Sequence, residues 1–229
     1  ERLPATLELA GVSLAGALLL ATPTGIVSGI RQGRWPDRTA TAFATIGISL
    51  PAFWFGLFLQ IVFATGLGWF PSSGRSTPGA AGLTGIDELA DQLLHLALPA
   101  VVLIIVQAAA WSRYLRGSVI DVLSEPFIAA ARARGIPRRQ ILWRHVLRNT
   151  VGPVLAVVMV DAALLVSGAV VTESVFAWPG IGSLFTEALA RRDYTVLMAL
   201  LMLTSTAIVV LNLVADLVHA IVDPRVTLA

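Results

Sequence analysis

A chain of 229 residues in which 56% of positions are hydrophobic and 13% are charged, with a mean hydropathy of +0.81, lies far outside the soluble range and reads as an integral membrane protein. All 16 basic residues are arginine. This excludes within the chain any mechanism that needs a lysine, a Walker A phosphate loop among them, and the lack of cysteine excludes a disulfide framework or a thiolate metal site.

A helix crossing a hydrocarbon core of roughly 30 Å needs about 20 mostly apolar residues. Five stretches meet that requirement: Leu7 to Ile30, Thr39 to Thr65, Leu93 to Ser112, Thr150 to Thr172 and Thr195 to Val222. Between them, connection 31–38 carries three arginines and 113–149 carries eight, whereas 66–92 carries one and 173–194 two. The excess of arginine on cytoplasmic loops places 31–38, 113–149 and the C-terminus in the cytoplasm. This leaves residue 1 outside, so a chain inserted with a cytoplasmic N-terminus needs one more span before Glu1. Trp35, Trp69, Trp111 and Trp178 fall at span edges and read as interfacial anchors. Pro23, Pro51, Pro99 and Pro153 lie inside spans with several glycines, a pattern that a packed helical bundle tolerates.

Segment 66–92 is rich in Gly, Pro and Ser and reads as an irregular external loop. Segment 113–149 is different, because eight arginines against Asp121 and Glu125 exceed what topology needs. Ser124 suits an N-cap, Glu125 and Pro126 a first turn, and Gly135 the left-handed position that ends a helix, which predicts a short helix from Glu125 to Arg134. A second pattern, Arg138 to Leu147, follows Pro137, with Ile141, Leu142 and Val146 on its apolar side. In 173–194 a Trp-Pro-Gly turn precedes Ile181, Leu184, Phe185, Ala188 and Leu189 at helical spacing, an amphipathic helix for the outer membrane face.

The stretch Phe127, Ile128, Ala129, Ala130, Ala131, Arg132, Ala133, Arg134, Gly135, followed by Arg144, His145, Leu147, Arg148, Asn149 and Pro153, resembles the EAA loop of ABC importer permeases. Ala129 stands where that motif has Glu. The variant looks like the dipeptide/oligopeptide branch, which Leu3 to Leu9, Gly47 to Trp54, Glu173 to Phe176 with Pro179 to Gly182, and Ala220 to Arg225 also resemble. The likeness covers nearly the whole chain and begins at the family's second span.

The resemblance implies an all-α polytopic bundle, the transmembrane domain of a type I ABC importer, as one domain over 1–229 with a coupling segment at 124–148. It implies a permease in the bacterial inner membrane that forms a pathway with a second permease and imports dipeptides or oligopeptides, with nickel chelates or glutathione as alternatives. It further implies two ATPase subunits that hold ATP and Mg, an extracytoplasmic solute-binding protein, and no cofactor or catalysis in this chain. Phe127, Ile128, Ala129, Ala130, Ala131, Arg132, Arg134 and Gly135 are the residues it assigns to ATPase coupling. With Ala129 in place of an acidic anchor, contact rests on shape and on Arg132 and Arg134.

Asp161 is the one acidic residue deep inside a predicted span. An ionisable group there costs on the order of 2.5–3.5 kcal/mol, so it faces the bundle interior, water or a partner. It either lines the substrate pathway or bonds a neighbouring helix near Ser167 or Asn212. His95, His145 and His219 lack metalloprotease spacing and there is no Gly-x-Ser-x-Gly elbow, which argues against intramembrane hydrolysis. An ion-driven secondary transporter predicts inverted repeats and more intramembrane charge. A basic loop without interleaved aromatics argues against nucleic acid.

Overall fold

The computed structural model describes residues 2–77, 85–166 and 169–222, and among these every regular element is helical. In chain order they are α1 Arg2–Ile30, α2 Trp35–Ser49, α3 Ala52–Leu59, α4 Ile86–Ser124, α5 Pro126–Ala133, α6 Arg138–Ile141, α7 Leu147–Val166, α8 Val170–Val175, α9 Ile181–Arg191 and α10 Tyr194–Val222. α3 continues into a wide π turn, Gln60–Gly66, and a second π turn, Leu142–Val146, joins α6 to α7. Four helical stretches are long and apolar enough to cross a membrane, or five if α2 and α3 form one broken span.

That break corrects the expected continuous span from Thr39 to Thr65: the pair is bent by 97°. Pro51 adopts φ −62°, ψ 127° and starts a new helix, in which Phe55 N–H donates to Pro51 O at 3.0 Å. Proline disfavours helical backbone at the preceding residue and supplies no N–H to the turn before it. Pro23, Pro99 and Pro153 carry the same handicap yet stay inside continuous helices. What holds α3 in its own direction is packing: Gly56 lies against Val175 and Phe176, where a Cβ would sit 3.2 Å from the Phe176 ring.

The expected third span, Leu93 to Ser112, is the middle of a 39-residue helix. At about 1.5 Å per residue it is about 58 Å long, far more than the hydrocarbon thickness, so its ends leave the bilayer. The expected fourth span starts earlier than Thr150, because α6, the π turn and α7 form one apolar stretch, Arg138–Leu165. No glycine or proline interrupts the chain between Pro137 and Gly152, so nothing ends the second helical pattern at Leu147.

The chain forms two compact units, and α1, α4, α7 and α10 contribute a part to each. The first comprises the described residues within 2–16, 50–106 and 162–210. One of its cores gathers Ala5, Leu9 and Ala10 of α1 with Leu96, Ala100 and Leu103 of α4, Leu165 and Trp178. Another gathers Leu59, Leu98, Val102 and Phe176. The loop after the first π turn is tethered within its described part: Gly74 N–H donates to Phe176 O at 2.9 Å, and Arg75 pairs with Glu8 at 2.7 Å.

The second unit comprises, among the described residues, 17–49, 107–161 and 211–222. Here α1 crosses α4 closely, because a Cβ on Gly25 would lie 2.8 Å from Leu115 Cβ and one on Gly29 would lie 2.6 Å from Val119 Cγ1. Small residues permit such close helix approach in membranes. A core of Val119, Ile128, Ala131, Ile141 and Val146 joins α4 to α5, α6 and the following turn.

Candidate functional site

The short basic helix predicted from Glu125 to Arg134 is present as α5, eight residues long. Its N-cap is Glu125, not Ser124: α4 runs on to Ser124, whose hydroxyl donates back to Ile120 O at 2.9 Å. Pro126 occupies the first turn, where a missing N–H costs nothing. At the other end Gly135 has φ +75°, its N–H donates to Arg132 O at 3.0 Å, and Ile136 N–H donates to Ala131 O at 3.2 Å. That paired bonding is the Schellman arrangement, and Ile136 packs on the same core as Ala131.

The arrangement fixes which residues of α5 point where. Ile128 is fully buried and Ala131 is 7% exposed, so both seat the helix on its own unit. Phe127, Ala129, Ala130, Arg132, Arg134 and Gly135 are exposed. Of the eight residues assigned to coupling, these six form the outward set and Ile128 and Ala131 the anchoring set. Phe127 lies beside His145, with ring centroids 6.4 Å apart.

Asp161 is half-buried, and its Oδ2 accepts a bond from Trp111 Nε1 at 2.6 Å. Its partner is therefore Trp111, and Ser167, one of the expected partners, lies outside the described residues. Trp111 is 1% exposed and Trp178 fully buried, which corrects the reading of both as interfacial anchors. Trp178 donates its indole N–H to Ala5 O at 2.9 Å. Trp35 and Trp69, at 77% and 63% exposure, remain open to an interface.

Two buried carboxylates were not singled out by sequence. Asp37, 4% exposed, accepts from Arg116 through Nε at 2.6 Å and Nη2 at 3.0 Å, from Gly33 N–H at 2.7 Å, and from the hydroxyls of Ser28 and Thr41. This clamp ties the α1–α2 turn to α4. The available signal was a single carboxylate in a connection whose other charges are all arginine.

Glu173, fully buried, accepts from the Thr6 hydroxyl at 2.9 Å and from Ser183 N–H at 3.0 Å. Thr6 Oγ1 in turn accepts Ile181 N–H at 2.8 Å. Glu173 and Thr6 thus cap the first turn of α9 from outside, satisfying donors that a helix start leaves free. The stretches 3–9 and 173–182, distant in sequence, meet in this cap. The signal was a carboxylate flanked by Val170, Val171, Val175 and Phe176.

Among the described residues no group of three or more His, Cys, Asp or Glu could hold a metal ion. Asp216 and His219 have no described side chains, and Asp223 to Arg225 lie outside the described residues.

The helices and their order define the class: a multi-span helical membrane subunit of the type I importer architecture. The structure matches a chain of the inward-facing MetNI methionine ABC transporter with a TM-score of 0.72 over 97% of this chain and 94% of that one, a likeness of fold at 18% identity. The chain belongs to the family of binding-protein-dependent transport system inner membrane components, whose model matches residues 21–228. It is 40% identical over 225 residues to the oligopeptide transport system permease protein AppB of Bacillus subtilis strain 168, covering 98% of this chain and 70% of that protein. It is 36% identical over 226 residues to the glutathione transport system permease protein GsiC of Shigella flexneri serotype 5b, covering 99% and 69%. It is thus an integral membrane component of a transport system.

Proposed function

We propose that this chain is the permease subunit of an ATP-driven importer of dipeptides or oligopeptides, coupled to ATPase subunits through α5 and Gly135. The observation that carries the reading is the seating of α5. A short helix held rigidly by Ile128 and Ala131, ended by Gly135 and turned outward at Phe127, Ala129, Ala130, Arg132 and Arg134, transmits a push to α4 and α7.

The chain acts as one transmembrane domain over 1–229 with its coupling segment at 124–148. It lies in the inner membrane with the C-terminus cytoplasmic, and a second permease completes the pathway. ATP and magnesium are held by two ATPase subunits and the substrate is delivered by an extracytoplasmic binding protein. The role of AppB supports a peptide substrate, and the likeness to GsiC keeps glutathione, itself a tripeptide, as the second reading. Asp161, held by Trp111, borders the pathway in this reading.

Gly135→Val tests the coupling. A β-branched residue at φ +75° is strained wherever it sits, although its Cβ would meet no atom within 4 Å. The expected result is loss of ATPase association and of peptide-stimulated ATP hydrolysis with membrane insertion retained, and retained coupling overturns the reading. Competition of labelled tripeptide uptake by glutathione separates the two substrates. Uptake into proteoliposomes without any ATPase would point instead to an ion-driven carrier.

A further inference from the structure

We infer that a concave cavity of about 720 Å³ in the second unit binds the phosphodiester headgroup of an anionic phospholipid. Three arginines, Arg31, Arg34 and Arg138, line it together with the apolar side chains of Ile30, Leu123 and Leu142, and no carboxylate shares the lining. All three arginines are exposed, and their guanidinium groups make no ion pair or hydrogen bond among the described residues. Three cations without a carboxylate partner line one hollow, which favours an anion there. A guanidinium fork matches phosphate oxygens in geometry as well as charge.

Two features favour a lipid over a soluble anion. The cavity includes in its lining Ile30, Leu123 and Leu142, which a free phosphate leaves unused and an acyl–glycerol region covers. It also lies where spans end: Ile30 closes one candidate span and Arg138 opens another. Headgroups occupy that level whichever way the chain is inserted.

The rim is built in advance. Arg31 and Arg34 sit on a turn in which Arg34 N–H donates to Arg31 O at 3.0 Å and Gly33, at φ +74°, donates its N–H to the buried Asp37. The clamp between Asp37 and Arg116 therefore fixes the backbone that presents two of the three cations.

Native mass spectrometry of the purified full chain, released from micelles containing phosphatidylglycerol or phosphatidylcholine, tests the inference. One retained phosphatidylglycerol per chain is expected, held at least tenfold more strongly than phosphatidylcholine and not displaced by millimolar inorganic phosphate. Arg31→Gln/Arg34→Gln/Arg138→Gln should reduce retention at least tenfold, whereas Arg144→Gln/Arg148→Gln, exposed arginines outside the cavity, should leave it unchanged. If the triple variant does not fold, Arg34→Gln alone gives the same reading with a smaller, roughly threefold, loss. Equal retention of both lipids, equal loss in both sets of variants, or displacement by inorganic phosphate would overturn the lipid assignment. Undiminished lipid retention in the triple variant with loss of ATPase association would also overturn it and mark the rim as a protein contact.

Discussion

Glu173 and Asp37 are both buried carboxylates, yet the fold makes them tolerable in opposite ways. Glu173 is satisfied by neutral donors, a threonine hydroxyl and a helix-start N–H, and no arginine touches it among the described residues. Asp37 is held by both arms of the Arg116 fork, with a backbone N–H and hydroxyls filling its remaining acceptor positions. The first is a structural cap whose value lies in shape and acceptor count. The second depends on opposite charge. Burying a charge costs several kcal/mol unless it is paired and hydrogen-bonded, so the two sites should respond differently to the same chemical change.

The largest effect is expected where shape alone decides. A Cβ on Gly180 would overlap the Glu173 carboxylate, and one on Gly182 would lie 2.6 Å from Val170 Cα. Gly180→Val should therefore dismantle the cap and cost more than about 3 kcal/mol, seen as loss of folded protein in fluorescence-detected size exclusion. A well-folded variant with an unchanged melting temperature would remove Glu173 from its role as a fixed cap.

Asp37→Asn is expected to come next. It leaves Arg116 without its counter-charge, and because that side chain is 29% exposed the usual 3–5 kcal/mol is reduced to about 2–3 kcal/mol. Asp37→Leu/Arg116→Met should cost less than either single change in thermal melts, and full additivity would show that the two do not act as a pair.

Glu173→Gln is the matched probe. The amide keeps one acceptor for the neutral donors around it, so a loss of only about 1 kcal/mol is expected. A loss as large as that of Asp37→Asn would erase the contrast between the two sites. Smallest of all, Gly135→Ala should cost about 1 kcal/mol locally, because only the left-handed backbone is penalised and the space around it is open. Hydrogen exchange confined to 131–137 would register it.

The short helix ended by Gly135 and the amphipathic helix at Ile181 were legible because their signals are local: a proline in the first turn, a glycine after the last, apolar residues at helical spacing. Four of the five spans were recognisable by length and hydropathy, although their limits were not. α4 extends from Ile86 to Ser124 because nothing in the flanking sequence stops it, and polar residues outside a bilayer continue a helix as readily as apolar ones inside. Pro51 was indistinguishable from Pro23, Pro99 and Pro153, since its effect is decided by Gly56 packing against Val175 and Phe176 from a distant segment.

The sequence by itself determined that this is a multi-span helical membrane protein and that 124–148 carries a short capped helix. Composition, charge placement and turn chemistry act over a few residues and survive without tertiary knowledge. Only the tertiary structure decided that Trp111 and Trp178 are buried bolts, that Ile128 and Ala131 seat α5 while its arginines turn outward, and that Asp37 and Glu173 each take a partner from far along the chain, Arg116 and Thr6. A hydrogen bond between residues 50 or more positions apart has no local spacing to betray it. A buried polar group in a membrane protein must find its partner wherever the fold brings one.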